Sequence, residues 1–116
     1  EWVKQHGQPS WIFVTNGGVL EYFHQNSLEA LLHYIRNELF PAIFVAIEPI
    51  SVTHNLKTET KSKPLGTEFS YSHNYPYHFR QAGFCVKQMA YHEDHFAYQM
   101  RCFVASTDEC AFKALS

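Results

Sequence analysis

Two histidines and two carboxylates lie side by side in His92-Glu93-Asp94-His95. On a helix, residues three positions apart share a face, so His92 and His95 could offer two imidazole ligands to a zinc ion. The H-E-x-x-H spacing of zinc proteases is absent, and the sequence shows no obvious further ligands. We therefore keep a metal site on His92 and His95 as a minor hypothesis beside a polar turn or helix end, and we expect no cofactor.

The three cysteines, Cys85, Cys102 and Cys110, are the other candidates for reactive chemistry. A reactive thiolate needs a nearby histidine or a helix N-terminus, and only Cys110 falls in the first turn of a predicted helix. The odd number and the lack of C-x-x-C spacing indicate neither a disulfide framework nor a metal motif. An enzyme carried by His92, His95 and Cys110 is our least favoured hypothesis, and we expect no catalytic residues.

Arg80, Lys87 and Arg101 are candidate contacts for a peptide or a phosphate group, each weighed against an ordinary solvated cation. Arginine is suited to bidentate recognition of such anions. Nine Lys and Arg residues face eleven Asp and Glu residues, so the concentrated basic excess of a nucleic-acid binder is missing. Neither G-x-x-x-x-G-K-[ST] nor G-x-G-x-x-G occurs, which argues against ATP binding by a phosphate loop.

A strand–helix–strand unit is predicted over residues 19–52, with VLEYF, NSLEALLHYIRNELF and PAIFVAIEPISV as its parts. Residues 42–47 are uniformly apolar, which is typical of a strand covered on both faces, and such strands are usually parallel. A parallel neighbour needs a crossover of a dozen or more residues, and the helix over residues 26–40 supplies one. We predict an α/β fold with a mixed or parallel sheet and a C-terminal helix.

The predicted helix over residues 26–40 carries an apolar stripe and a signal at each end. Asn26 is the expected N-cap, Glu29 the carboxylate arm of a capping box, and Pro41 the stop. The stripe consists of Leu28, Leu31, Leu32, Ile35 and Leu39.

The flanking segments are predicted with less uniform signals. Residues 11–15 read as a strand, and Asn16-Gly17 predicts a β-hairpin to residues 19–23, which could also pair in parallel within a mixed sheet. Residues 55–66 indicate a solvated loop, and residues 68–80 have no clear period.

The C-terminal third leaves one alternative open. Residues 81–95 fit either a helix or a strand that turns near His92, whereas residues 100–105 are a strand. An S-x-x-E capping box from Ser106 to Glu109 opens a terminal helix, whose core-facing residues are Ala111, Phe112 and Leu115.

The composition is that of one globular domain over residues 1–116, or of a fragment or reduced form of a larger domain. Apolar residues make up 46% of the chain and aromatic residues 16%. No apolar run approaches the roughly twenty residues that cross a bilayer, so no transmembrane segment is expected. The cysteine usage indicates a reducing, cytoplasmic setting, with membrane association only through partners.

The run LLHYIRNELFPAIFVAIEPISV and the tail HEDHFAYQMRCFVASTDECAFKAL together resemble the C-terminal half of the guanylate-kinase-like domains of membrane-associated scaffold proteins. The similarity covers about residues 19–115 and lies in the order and spacing of apolar segments. It implies a non-catalytic, signalling or junctional protein-binding module. Since the nucleotide-binding part of that fold would precede residue 19, no binding residue of the family can be carried over.

A second resemblance is to phosphotyrosine-binding (PTB) domains, which are PH-like antiparallel β-sandwiches closed by a helix. The segments TEFSYSH, AGFCVKQ and HFAYQMRCFVAS would be antiparallel strands and TDECAFKALS the helix. Such domains bind an extended peptide by strand addition. A helix over residues 81–95, with residues 19–23 parallel to residues 42–47, would favour the first resemblance. An antiparallel sheet with a strand at residues 83–89 would favour the second. Both resemblances predict a protein or peptide partner, phosphorylated or not.

Overall fold

Two parallel strands joined by a helix are present, as predicted, but the first strand lies earlier in the chain. Strand β1 covers Trp11–Asn16, helix α1 covers Gln25–Glu38, and strand β2 covers Ala42–Ser51. β1 and β2 pair in parallel. The structure is a computed structural model that describes residues 10–65 and 69–108.

The predicted β-hairpin over residues 11–23 is wrong, and residues 19–23 are not a strand. Gly17 and Gly18 do adopt positive φ angles of 91° and 101°. They turn the chain into a 3₁₀ turn at Leu20–Tyr22, which leads to α1. The reason is a long-range contact, because the buried carboxylate of Glu48 on β2 binds backbone N–H groups that a hairpin would use.

Helix α1 is confirmed, with shifted ends. His24, and not Asn26, is the N-cap residue, and no side chain caps the helix. Glu29 accepts a hydrogen bond from the Gln25 side chain at 3.4 Å and so does not complete the predicted capping box. The helix ends before Pro41, as predicted. Its buried residues, Leu28, Leu32 and Ile35, all belong to the predicted stripe.

The second half of the chain supplies short elements and two long strands. β3 (Lys63–Pro64) and β4 (Tyr71–Ser72) form a small sheet within the predicted loop and the unassigned segment, and α2 covers Tyr75–Gln81. β5 covers Cys85–Asp94 and β6 covers Tyr98–Ser106. The helical alternative for residues 81–95 is therefore wrong, and the strand alternative is confirmed, but the predicted turn near His92 is wrong, because the strand continues to Asp94 and the chain turns at residues 95–97. The strand predicted at residues 100–105 is confirmed with longer bounds.

The main sheet has the order β1-β2-β6-β5, with β6 antiparallel to both of its neighbours. The described residues thus form a small mixed α/β domain, and the sheet does not close into a barrel. The parallel β1–β2 pair differs from the wholly antiparallel sandwich that the PTB resemblance implies. The strand at β5 replaces the helix that the guanylate-kinase-like resemblance implies.

Both described helices pack on one face of the main sheet. The Phe79 ring of α2 meets the Phe44 ring of β2 edge-on at 5.4 Å, and Leu32 of α1 belongs to the same buried cluster as Phe103 of β6. The described residues contain no helix long and apolar enough to span a membrane. The predicted terminal helix falls, from residue 109 onward, outside the residues that the structure describes.

Candidate functional site

Strand β1 forms one edge of the main sheet, with β2 as its only partner among the described strands. The N–H groups of Trp11 and Gly17 donate to carbonyl oxygens on the β2 side at 2.9 and 3.2 Å. In a parallel pair, the backbone N–H and C=O groups of one residue point towards the partner strand, and those of the next residue point towards the open edge. The backbone N–H and C=O groups of Ile12, Val14 and Asn16 therefore point away from the sheet.

The β1 edge lacks the features that usually keep sheet edges from pairing. Ile12 and Val14 are 68% and 63% exposed, and the strand sequence WIFVTN contains no charged residue or proline. The opposite edge, β5, carries Lys87, Glu93 and Asp94 and has an irregular register in its middle. Since charges and bulges protect an edge from strand addition, β5 is protected, whereas nothing within residues 10–65 and 69–108 protects β1.

An apolar groove of about 270 Å³ lies beside β1, between the strand and helix α1. Its floor includes the Phe13 ring, which is stacked on Phe44 at 5.7 Å. No charged side chain lines it in the described part of the chain. The lining residues are Phe13, Val14, Thr15, Val19, Leu20, Phe23, Leu31, Tyr34, Ile35, Leu39 and Phe44.

The glycine turn after β1 is held by Glu48. One carboxylate oxygen accepts from the N–H groups of Val19 and Leu20 at 3.1 Å each, and the other accepts from Val19 at 3.2 Å. Burial and the charge of Glu48 raise the pKa of Glu21, against the lowering effect of a hydrogen bond from Ser70. The N–H groups that could cradle an external anion at this turn are therefore occupied from within.

Two buried histidines, His54 and His73, are each held between a serine hydroxyl and a backbone carbonyl. The Nε2 atom of His54 donates to the carbonyl of Glu59 at 3.0 Å, and its Nδ1 atom lies 2.8 Å from the Ser72 hydroxyl. In the same way, Nε2 of His73 donates to a backbone carbonyl at 2.9 Å, and Nδ1 accepts from the hydroxyl of Ser62. These pairs tie the loop after β2 to the segment around β4.

The Ser62–His73 pair has the connectivity of a nucleophile and a base, but its properties favour a structural role. Burial lowers the pKa of His73 to about 4, although its hydrogen bond to Phe23 acts in the opposite direction. A base of that pKa removes a serine proton poorly at neutral pH. His78 is also buried with a lowered pKa, and the Glu29 carboxylate lies 3.7 Å from its Nδ1 atom.

The predicted metal ligands are not assembled into a site. His92 lies on the exposed outer half of β5, and His95 lies in the turn that follows, with its Nε2 atom 2.7 Å from the Glu93 carboxylate. Residues 10–65 and 69–108 contain no group of three or more potential metal ligands close together.

The cysteines also show no activation in the described structure. Burial raises the pKa of the Cys102 thiol, which favours its unreactive protonated form. Cys85 is half-buried at the start of β5. Cys110 lies outside the described residues.

The three predicted cationic contacts fall into two groups. Arg80 and Arg101 line two adjoining depressions on the helical side of the sheet. Lys87 lies opposite Val104, whose cross-strand partner is Val45, so it lies on the other face of the sheet. The structure thus brings Arg80 and Arg101 to neighbouring depressions and separates Lys87 from them.

Sequence reasoning missed the open edge and the groove beside it. The strand pattern at residues 11–15 was the available signal, but whether a strand lies at an edge depends on the sheet order.

No family model, curated protein or solved structure matches this chain.

Proposed function

We propose that this chain is a non-catalytic protein-interaction domain that binds an extended, apolar segment of another protein as an additional strand beside β1. The observation that carries the proposal is the unprotected β1 edge. Its outward N–H and C=O groups at Ile12, Val14 and Asn16 match the hydrogen-bonding groups of an extended chain.

The groove supplies the specificity that backbone hydrogen bonds lack. Alternate side chains of an added strand point to opposite faces of the sheet, so every second one would project towards α1. There it would meet Leu31, Tyr34 and Leu39, which line the groove. Because the lining is apolar, the matching side chains are aliphatic or aromatic.

The two family resemblances support a protein partner in different ways. Guanylate-kinase-like scaffold domains, which residues 19–115 resemble, imply a protein-binding module of signalling or junctional assemblies. PTB domains imply strand addition, which is the mode that the β1 edge favours. Since the fold departs from both families at β1–β2 and at β5, the resemblances favour only a protein partner in general, and we take the binding mode from the geometry of β1.

The test uses a synthetic peptide of alternating threonine and valine, blocked at both ends, as an extended apolar probe. Val14→Pro removes an outward N–H group without removing a bond to β2, and proline is tolerated at such edge positions. We expect this change to weaken peptide binding at least fivefold, measured by isothermal titration calorimetry, which corresponds to about 1 kcal/mol for a hydrogen bond.

The matched control is Val14→Thr, which keeps both the N–H group and the β-branched shape, and we expect its affinity to stay within twofold of the original. Equal binding by the proline variant would contradict the proposal. A concentration-dependent dimer, seen by sedimentation and abolished by Val14→Pro, would also contradict it, since β1 would then be occupied by a second copy of the chain.

A further inference from the structure

A basic cleft lies between the loop after β2, helix α2, and strands β5 and β6. It consists of two depressions of about 390 and 420 Å³ that share Leu56, Lys57 and Gln88 along their boundary. Arg101 lines the first depression and Arg80 the second. Volumes of this size are in the range of ligand-binding clefts.

Arg101 is half-buried yet has no carboxylate partner among the described residues. It lies directly opposite Glu48 on β2, but that carboxylate is bound to the glycine turn. Its other cross-strand neighbour is His92, and its Nε atom donates to the side-chain oxygen of Gln99 at 2.7 Å. A partly desolvated guanidinium without a counter-charge is unfavourable unless an anion completes the pair.

The other cations of the cleft are also without a described acidic partner. Lys57 and Arg80 take part in none of the ion pairs within residues 10–65 and 69–108. Glu59, which belongs to the same loop as Lys57, is engaged by the Lys63 ammonium at 3.2 Å and by the Asn55 N–H at 2.8 Å. No Asp or Glu of the described chain lines either depression, so the cleft favours a negative ligand.

We infer that this cleft is a binding site for a phosphoryl group. Arg80 and Arg101 provide planar guanidinium groups that can each donate two hydrogen bonds to phosphate oxygens, and Lys57, which lines both depressions, adds a point charge. The phosphoryl group could be free or esterified to a peptide side chain. The site is separate from the β1 edge and does not depend on the peptide binding proposed there.

The test compares charge-neutralising variants that all have the same net charge. Arg80→Gln and Arg101→Gln remove cations of the cleft, whereas Lys87→Gln removes one from the opposite face of the sheet. The probes are inorganic phosphate and phosphotyrosine, and their binding is measured at low salt from changes in amide chemical shifts. We expect each arginine variant to weaken binding at least tenfold. The lysine variant should stay within twofold.

Because Arg80 is exposed, its variant should fold normally even if Arg101→Gln does not. Unchanged binding in Arg80→Gln, an equal loss in Lys87→Gln, or no binding of either probe would overturn the inference. Equal affinity for both probes supports a site for the phosphoryl group alone, and at least tenfold tighter binding of phosphotyrosine supports a peptide-borne group. Val14→Pro should change neither affinity, so failure of this site is distinguishable from failure of the β1 proposal.

Discussion

His73 shows how a single buried side chain links the fold to pH. Its ring is fully buried, and both nitrogens are used as the neutral form requires, one as donor and one as acceptor. Burial is the main cause of its pKa of about 4, compared with an ordinary value near 6.5. The unfolded chain therefore binds a proton at this residue at pH values where the folded chain does not.

The free energy of unfolding should consequently fall as the pH drops from 6.5 towards 4. For a pKa depressed from 6.5 to about 4, the loss between pH 6.5 and 5 is about 1.5 kcal/mol. The lowered pKa of His78 acts in the same direction, whereas the raised pKa of Glu21 acts in the opposite one. Urea denaturation at a series of pH values measures this slope.

Two variants separate His73 from other titrating groups. His73→Gln should be less stable at pH 7 but should lose at least half of the pH slope, because the shifted group is gone. His33→Gln, at an exposed position on α1, should keep the slope of the original chain. A stability that stays constant from pH 6.5 to 5 in the original chain would refute this assignment.

At the scale of elements, local sequence signals predicted the helix and the strand whose structure depends mainly on their own residues. The leucine stripe of α1, the stop before Pro41 and the apolar strand at residues 42–47 were all predictable from spacing. The glycine turn was misread because its outcome depends on Glu48, which is 28 residues from Leu20 in sequence. Residues 81–95 were ambiguous because their apolar pattern fits both the helical and the strand period. Pairing with β6 makes residues 85–94 a strand.

The junction between β1 and α1 yields a prediction that separates backbone strain from crowding. Gly17 and Gly18 both have positive φ, but an added Cβ at Gly17 would meet nothing within 4 Å, whereas at Gly18 it would lie 1.8 Å from a Glu21 carboxylate oxygen. We expect Gly17→Ala to cost about 1 kcal/mol and Gly18→Ala about 2 kcal/mol in urea denaturation.

A double-mutant cycle identifies the source of the extra loss. In a Glu21→Ala background, the crowding disappears, so the cost of Gly18→Ala should approach that of Gly17→Ala. Equal costs for the two glycine changes in the original chain, or an unchanged difference in the Glu21→Ala background, would show that the Glu21 contact is unimportant.

At the scale of the whole molecule, the sheet order separates the two proposed binding surfaces. The β1 edge lies at one end of the order β1-β2-β6-β5, and the basic cleft lies at the other end, beside β5 and β6. A peptide beside β1 and a phosphoryl group in the cleft would therefore not compete for space. This arrangement suits a domain that contacts one partner at two points or two partners at once.

The sequence anticipated part of these surfaces. Residue type made Arg80 and Arg101 candidate anion contacts, but only the fold shows that they line adjoining depressions and that Lys87 does not. The buried His54 and His73 contacts join segments that are far apart in the chain, for example His73 and Phe23. Sequence spacing cannot reveal contacts of that kind.

The central claim is that a partner segment adds to the sheet beside β1, and residue-resolved amide hydrogen exchange tests it most directly. Without peptide, Phe13 and Thr15 should exchange slowly because they face β2, whereas Ile12, Val14 and Asn16 should exchange fast. Addition of the threonine–valine peptide should slow exchange at Ile12, Val14 and Asn16. Protection that appears instead along β5, or no change in these three amides while the peptide binds, would contradict the account.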